Sequence, residues 1–292
     1  MSAATTPGQD PQPKRDHHWR NVVILWLLAS AIFDPLILIV WGPGLPPGNA
    51  SVQAHGQVID NQVLFGVAIP VAAAVIVYFA YVLWAFRERN PEVVVDGPPI
   101  RGNATVQFWW LAITTTIVLF LAAFGTIRLL EDGSGGGQGP SPIAVPASAT
   151  KDPPLQVQVI AQQWEFTYRY PSYGGVETRF LELPANTLIE FHVTSLDVIH
   201  SFWAYKLGVK ADANPGVDDV AYVHTVGPTT FTVHCAELCG LWHGYMFNSG
   251  RVVPKAQFAS WIAQQERTYA PATKVLPPYS KTYFPSPLRR GG

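Results

Sequence analysis

The residues able to do chemistry lie in one run, Cys235-Ala236-Glu237-Leu238-Cys239-Gly240-Leu241-Trp242-His243-Gly244-Tyr245-Met246. It holds both cysteines of the chain and its one methionine besides Met1, together with an imidazole. Soft thiolate and thioether donors beside an imidazole suit copper, whereas Mg²⁺ or Ca²⁺ would require carboxylate and carbonyl oxygens. His200, in Leu196-Asp197-Val198-Ile199-His200-Ser201-Phe202, can complete the set. A β-sandwich that holds copper takes one histidine from an upstream strand and its other ligands from a single late loop. One thiolate, two imidazoles and a thioether would make a mononuclear blue-copper site. The second thiolate, four residues from the first, can instead bridge two copper ions that each take one histidine.

Other uses of these residues fit less well. A disulfide is compatible with an oxidising compartment, but it gives no reason for His243 and Met246 at their offsets. Zinc on Cys235, Cys239, His243 and His200 is a better rival, since tetrahedral Cys2His2 is a common structural set; Met246 argues against it. The i, i+4 cysteine spacing is not the paired C-x-x-C of a zinc ribbon, and no C-x-x-C-H for covalent haem occurs. Side-chain alternation along a strand turns His234 away from its neighbour Cys235. His192 and His224 read as packing or surface residues.

The elements that must carry this loop begin in a membrane. Only 13% of the 292 residues are charged and 48% are hydrophobic, and the net charge of −1 offers no general attraction to nucleic acid. Residues 1–20 read as a disordered tail with a positive flank, Lys14 to Arg20. From Val22 to Trp41, thirteen residues are Leu, Ile, Val or Phe. Each favours insertion by roughly 0.3–0.6 kcal/mol, which outweighs the roughly 2.5–3.5 kcal/mol cost of Asp34. We expect a retained helix kinked near Pro35, with a signal peptide cut after Ala29-Ser30-Ala31 as the alternative; Asp34 would face a partner helix or a proton path, or simply pair with a neighbouring subunit.

Two more spans follow, Val63–Phe86 and Phe108–Leu130, which completes an anchor over residues 21–130. Arg87, Arg89 and Arg101 lie between them, whereas 42–62 carries no Lys or Arg. The positive-inside rule then puts 87–101 in the cytoplasm and everything after Leu130 outside it. Residues 131–154 form a Gly/Pro-rich linker. The β-prone runs Leu155–Ile160, Trp164–Tyr170, Phe180–Leu183, Thr187–Thr194, Val220–Val226, Thr230–Cys235 and Arg251–Val253 predict a sandwich domain over 155–267. It closes with a helix over Lys255–Gln265, and the prolines beyond make 268–292 an extended tail.

His200, Cys235-Ala236-Glu237-Leu238-Cys239, His243 and Met246 closely resemble the dinuclear CuA site of subunit II of the haem–copper (cytochrome c) oxidases. The resemblance runs from about Val63 to Trp261. It is supported by Lys210-Ala211-Asp212-Ala213-Asn214-Pro215-Gly216, similar to the family's K-x-D-A-x-P-G, and by Gln163-Trp164. It implies a membrane α-helical anchor joined to an all-β, cupredoxin-like Greek-key sandwich in the cytoplasmic membrane. It further implies that Cys235 and Cys239 bridge two coppers, that His200 and His243 each bind one, and that Met246 and the Glu237 carbonyl are weak ligands. By the same resemblance Trp164 accepts electrons from cytochrome c, and the Glu237 side chain reaches magnesium at the interface with subunit I.

The implied role is the electron-transfer subunit of a terminal respiratory oxidase, passing single electrons to haem in subunit I for reduction of oxygen to water. Its partners would be subunit I, other oxidase subunits, cytochrome c and membrane lipid, with no nucleic acid. The catalytic oxygen-reducing site lies on another subunit, so this chain needs no catalytic acid or base. The alternatives are the CuA subunit of a nitric oxide reductase complex and a membrane-anchored copper-binding protein with no catalytic partner. Val217 stands where the family usually has Arg, and Gln107 where many members have Glu. Asp218 and Asp219 would form a solvated acidic turn or face a basic cytochrome c.

Overall fold

The computed structural model describes residues 17–44, 48–87, 99, 101–132, 137, 139, 145 and 153–273. The amino-terminal flank at Lys14 and Arg15, Arg89, nearly all of the expected linker and the tail beyond 273 lie outside the described residues. Among the described residues three helices are long and apolar enough to cross a membrane: His18–Trp41, Val52–Ala85 and Ala104–Leu130. The structure divides into two units, 1–40 with 65–100 and 41–64 with 101–292.

In the first unit, α1 (His18–Pro35) passes at its proline into a π-helical turn, Leu36–Trp41. Pro35 has no N–H to donate, so the hydrogen-bond ladder shifts there. The indole of Trp26 donates to the Pro70 carbonyl at 2.8 Å. Asp34 Oδ1 is buried and meets no hydrogen-bond partner among the described residues.

Helix α2 (Val52–Ala85) begins well before the expected Val63. Its 34 residues span about 50 Å, more than the ~30 Å of hydrocarbon. The reason is a cap: Ser51 Oγ accepts from Ala54 N–H at 2.9 Å and donates to the Leu207 carbonyl at 2.6 Å. Gln53 Oε1 accepts from His224 N–H at 2.7 Å, and Gln57 donates to the Gly208 carbonyl at 2.8 Å. The first turns of α2 are therefore part of the second unit, not a loop. Gly208, at φ +64°, allows this approach, since a Cβ there would lie 2.7 Å from Ala54. Helix α3 (Ala104–Asp132) is capped by Asn103 Oδ1, and Arg128 pairs with Asp60 of α2 at 3.2 Å.

The β domain is a sandwich of two five-stranded sheets. One has the order β3 (Val176–Thr178), β2 (Glu165–Tyr170), β1 (Leu155–Gln162), β5 (Leu188–Ser195), β8 (Asp219–His224). The other has the order β4 (Leu181–Pro184), β10 (Phe247–Val253), β9 (Thr229–Cys235), β6 (His200–Ala204), β7 (Val209–Ala213). The pairs β1–β5 and β4–β10 are parallel and the others antiparallel, a cupredoxin-like arrangement. Val157, Val159, Phe166, Ile189, Phe191 and Phe202 fill the space between the sheets, where apolar burial supplies the driving force.

Three strands go beyond the sequence expectation: β3, β6 and β7. Strand β7 alternates Val209, Ala211 and Ala213 inward with Lys210 and Asp212 outward, a pattern carried by small residues. The last helix, α4 (Lys255–Thr273), runs past the expected Gln265 and through Pro271. Phe258 and Ile262 anchor it by burial, and a proline in the last turn removes only a hydrogen bond near a fraying end.

Candidate metal centre

Strand β9 ends on Cys235 and β6 starts on His200, side by side in one sheet: Phe202 pairs with Cys235 and Trp203 with His234. Between β9 and β10 the chain must make a loop that returns its thiols to the sheet edge. Cys235 N–H donates to the Met246 carbonyl at 3.0 Å, and Ala236 N–H to the Ser201 carbonyl at 2.9 Å. These bonds close the loop at its base. At its far side Gly240 takes φ +113°, a conformation that favours glycine, and leads into a 3₁₀ turn, His243–Tyr245.

The result is convergence. Cys235 Sγ lies 3.8 Å from Cys239 Sγ, 3.9 Å from His200 Nδ1 and 3.2 Å from the Glu237 carbonyl oxygen. Cys239 Sγ lies 3.5 Å from His243 Nδ1 and 3.8 Å from Met246 Sδ. The donor atoms of His200, Cys235 and Cys239 all fall within 4.8 Å of one another. His200 and Met246 are buried and His243 is half-buried, so the cluster sits just beneath the surface. The Glu237 side chain is exposed.

Both cysteines are free, and their sulfurs are far outside the roughly 2.05 Å of a disulfide. Metal–sulfur bonds of about 2.3 Å meeting near a tetrahedral angle separate two sulfurs by a little under 4 Å, so the spacing fits metal-bound thiolates. Burial, and next the neighbouring Cys235, push the Cys239 thiol up to about 12. Loading a metal must therefore displace protons from this pair. Two thiolates, two imidazoles, a buried thioether and a carbonyl form a soft donor set that fits copper.

Residues around the cluster fix it. Asp197 Oδ1 accepts from His200 Nε2 at 2.9 Å, which leaves Nδ1 for the cluster. Asp197 Oδ2 accepts from Gln163 N–H at 2.7 Å, and Oδ1 from Val198 N–H at 2.7 Å. Burial raises the Asp197 carboxyl, but these N–H groups and His200 outweigh it and hold the carboxyl below its usual range. The Cys239 carbonyl accepts from Gln163 Nε2 at 2.9 Å and from Trp164 Nε1 at 3.2 Å. Sequence reasoning quoted Asp197 and Gln163 but gave them no such task; the signal was the Asp-x-x-His spacing.

His234 lies outside, its ring between Tyr205 and Phe247 at centroid distances of 6.1 and 6.0 Å. The acidic turn needs correction. Asp218 is held by His192 at 2.8 Å with a side chain 11% exposed, and Asp219 is buried. Burial and the nearby Asp212 carboxylate push the Asp219 carboxyl above its usual range. Neither residue presents a solvated charge, because β8 starts at Asp219 and draws the turn onto the sheet.

The chain is similar in sequence to known proteins. The sequence profile described as cytochrome C oxidase subunit II, periplasmic domain, matches residues 176–252. Cytochrome c oxidase subunit 2 of Thermostichus vulcanus is 28% identical over 285 residues, covering 83% of this chain and 85% of that protein. The probable cytochrome c oxidase subunit 2 of Rickettsia bellii (strain RML369-C) is 25% identical over 281 residues, covering 86% and 95%. Among solved structures, the periplasmic domain of cytochrome oxidase subunit II (CoxB) of Bradyrhizobium japonicum is 30% identical. That alignment covers 39% of this chain and 95% of that one, with a TM-score of 0.38. Three apolar helices, a cupredoxin-like sandwich and this agreement along the sequence make the chain a member of the cytochrome c oxidase subunit II family.

Proposed function

We propose that this chain accepts single electrons from cytochrome c at a dinuclear CuA centre and passes them to haem in subunit I, where oxygen is reduced to water. The observation that carries the proposal is the pair of free thiols 3.8 Å apart, with an imidazole nitrogen beside each. When bound, two coppers supply a one-electron carrier with the electron shared between them. Cys235 and Cys239 would hold both ions, and His200 and His243 one each. Met246 and the Glu237 carbonyl complete the set as weak donors.

The protein's own residues keep this geometry fixed. Asp197 and the loop-closing backbone bonds hold the ligands before and after an electron arrives, so little rearrangement is required. Trp164, on the Cys239 carbonyl, is the proposed point of electron uptake. The Glu237 carboxylate, which is exposed, is proposed to bind magnesium at the interface with subunit I. Basic Arg87 and Arg101 support a sandwich on the extracytoplasmic side of the cytoplasmic membrane.

Electron paramagnetic resonance of the full-length, copper-loaded chain tests the proposal. The expected signal is a hyperfine pattern from one electron shared equally by two copper nuclei, lost in Cys239→Ser. A single-copper pattern from the fully loaded protein, or a full signal in Cys239→Ser, would overturn it.

A further inference from the structure

The loop that carries the metal ligands presents a surface whose chemistry restricts what docks there. Residues 238–247 contain no Asp, Glu, Lys or Arg. Trp242 and Tyr245 are 49% and 73% exposed and meet edge to face at 5.5 Å. With Trp164 and Phe247 they line a groove of about 440 Å³. The charges on its rim, Glu165 and Arg179, neutralise each other, with nitrogen and oxygen 2.6 Å apart. Of the nearby acids, Asp197 is committed to Gln163, Val198 and His200 and Asp218 to His192, while the exposed Glu237 is not among the residues that line the groove.

An exposed aromatic patch of this kind marks an interaction site. It shares the groove with Trp164, whose indole donates to the Cys239 carbonyl. Electrostatic steering requires complementary charge on both partners, and this groove offers none. Burying aromatic rings in an uncharged contact stabilises association without counter-charges.

Resting on the electron-transfer reading above, we infer that the donor docks on the Trp242–Tyr245 ring pair through an uncharged, apolar haem-edge surface of its own. Binding is then driven by apolar burial, and salt has little influence on it. Trp242 and Tyr245 are the contact residues, and Trp164, which lines the same groove, is the relay.

Stopped-flow reduction of the copper-loaded full-length chain in detergent tests this. The reductants are a cytochrome c with an apolar haem edge, a cytochrome c ringed by lysines, and ascorbate as a small reductant. With the apolar cytochrome, the second-order rate should change less than about two-fold between low and high salt, since steering by charge is absent. It should fall at least ten-fold in Trp242→Ala and Tyr245→Ala, while their copper resonance and reduction by ascorbate stay as in the parent.

A steep salt dependence, or a faster reaction with the lysine-ringed cytochrome at low salt, would overturn the docking inference and leave the electron-transfer reading standing. An unchanged rate in Trp242→Ala would also overturn it and assign the rings to a neighbouring subunit. Reduction by ascorbate but by neither cytochrome would instead overturn the cytochrome-donor reading itself.

Discussion

The indole Nε1–H of Trp164 donates to the backbone carbonyl of Cys239 at 3.2 Å, so the proposed electron-accepting ring is tied to the backbone of a proposed copper ligand. The same carbonyl also accepts from Gln163 Nε2 at 2.9 Å, and one donor remains if the other is removed. Trp164→Phe should therefore cost only about 1 kcal/mol in urea unfolding, the usual net worth of one hydrogen bond. The copper resonance should persist while electron uptake from the donor slows. Trp164→Leu, which removes the aromatic ring, should slow it further. Uptake at the parent rate in both variants would rule out Trp164 as the relay.

Gly240 holds the loop where Gln163 and Trp164 press against it. A Cβ there would lie 3.0 Å from Gln163 Nε2 and 3.4 Å from Trp164 Cζ2, on a backbone already at φ +113°. Gly240→Ala is expected to destabilise the domain by about 1–3 kcal/mol and to lower copper occupancy. Gly244→Ala is the control, since a Cβ there meets nothing within 4 Å. Equal melting temperatures for the two variants would contradict the argument.

Asp197 positions His200 from behind. The histidine is fully buried, and its Nε2 is satisfied by Asp197 Oδ1 at 2.9 Å. Removing such an outer partner commonly lowers metal affinity about 10–100-fold. Asp197→Ala should fall in that range in a chelator competition. Asp197→Asn, whose amide oxygen still accepts from Nε2–H, should lose less. Parent-like affinity in Asp197→Ala would show that the sandwich alone orients His200.

Much of this was legible from residue types. The two thiols, His243 and Met246 announce themselves by rarity and spacing, and long apolar runs mark the three helices. The strands that frame the site were harder to read. Strand β7 has Ala211 and Ala213 as core residues, which carry little hydrophobic signal, and β6 begins on a polar pair, His200 and Ser201, that is buried. The start of α2 was hidden because Gln53, His55 and Gln57 look like loop. Gln53 and Gln57 are satisfied by backbone far away in sequence, at His224 and Gly208. Asp218 and Asp219 misled for the same reason, because burial against His192 depends on a strand pairing no local pattern records.

That buried pair gives the domain a definite pH response. His192 sits between Asp218 at 2.8 Å and Glu190 at 3.8 Å, and Glu190 also accepts from Tyr222 at 2.7 Å. Burial disfavours the imidazolium, but the Asp218 carboxylate, which accepts from Nδ1, and the nearby Glu190 carboxylate prevail and raise His192 from 6.5 to about 9. A histidine whose pKa is higher in the folded state stabilises most below its unfolded value. Its contribution should be complete below about pH 6.5 and vanish as pH rises through about 9, a loss on the order of 3 kcal/mol. Glu190 acts at the other end: the nearby His192 first, with the hydrogen bonds from Tyr222 and Gln156, overcomes burial and lowers it from 4.5 to about 2. Its contribution is present above about pH 4.5 and fades as pH falls through 2. Urea midpoints of the full-length chain between pH 6 and 10 should therefore decline on the alkaline side. Asp218→Asn should flatten that decline, since it removes the nearer carboxylate. An alkaline limb of the same steepness in the variant would show that the decline arises elsewhere.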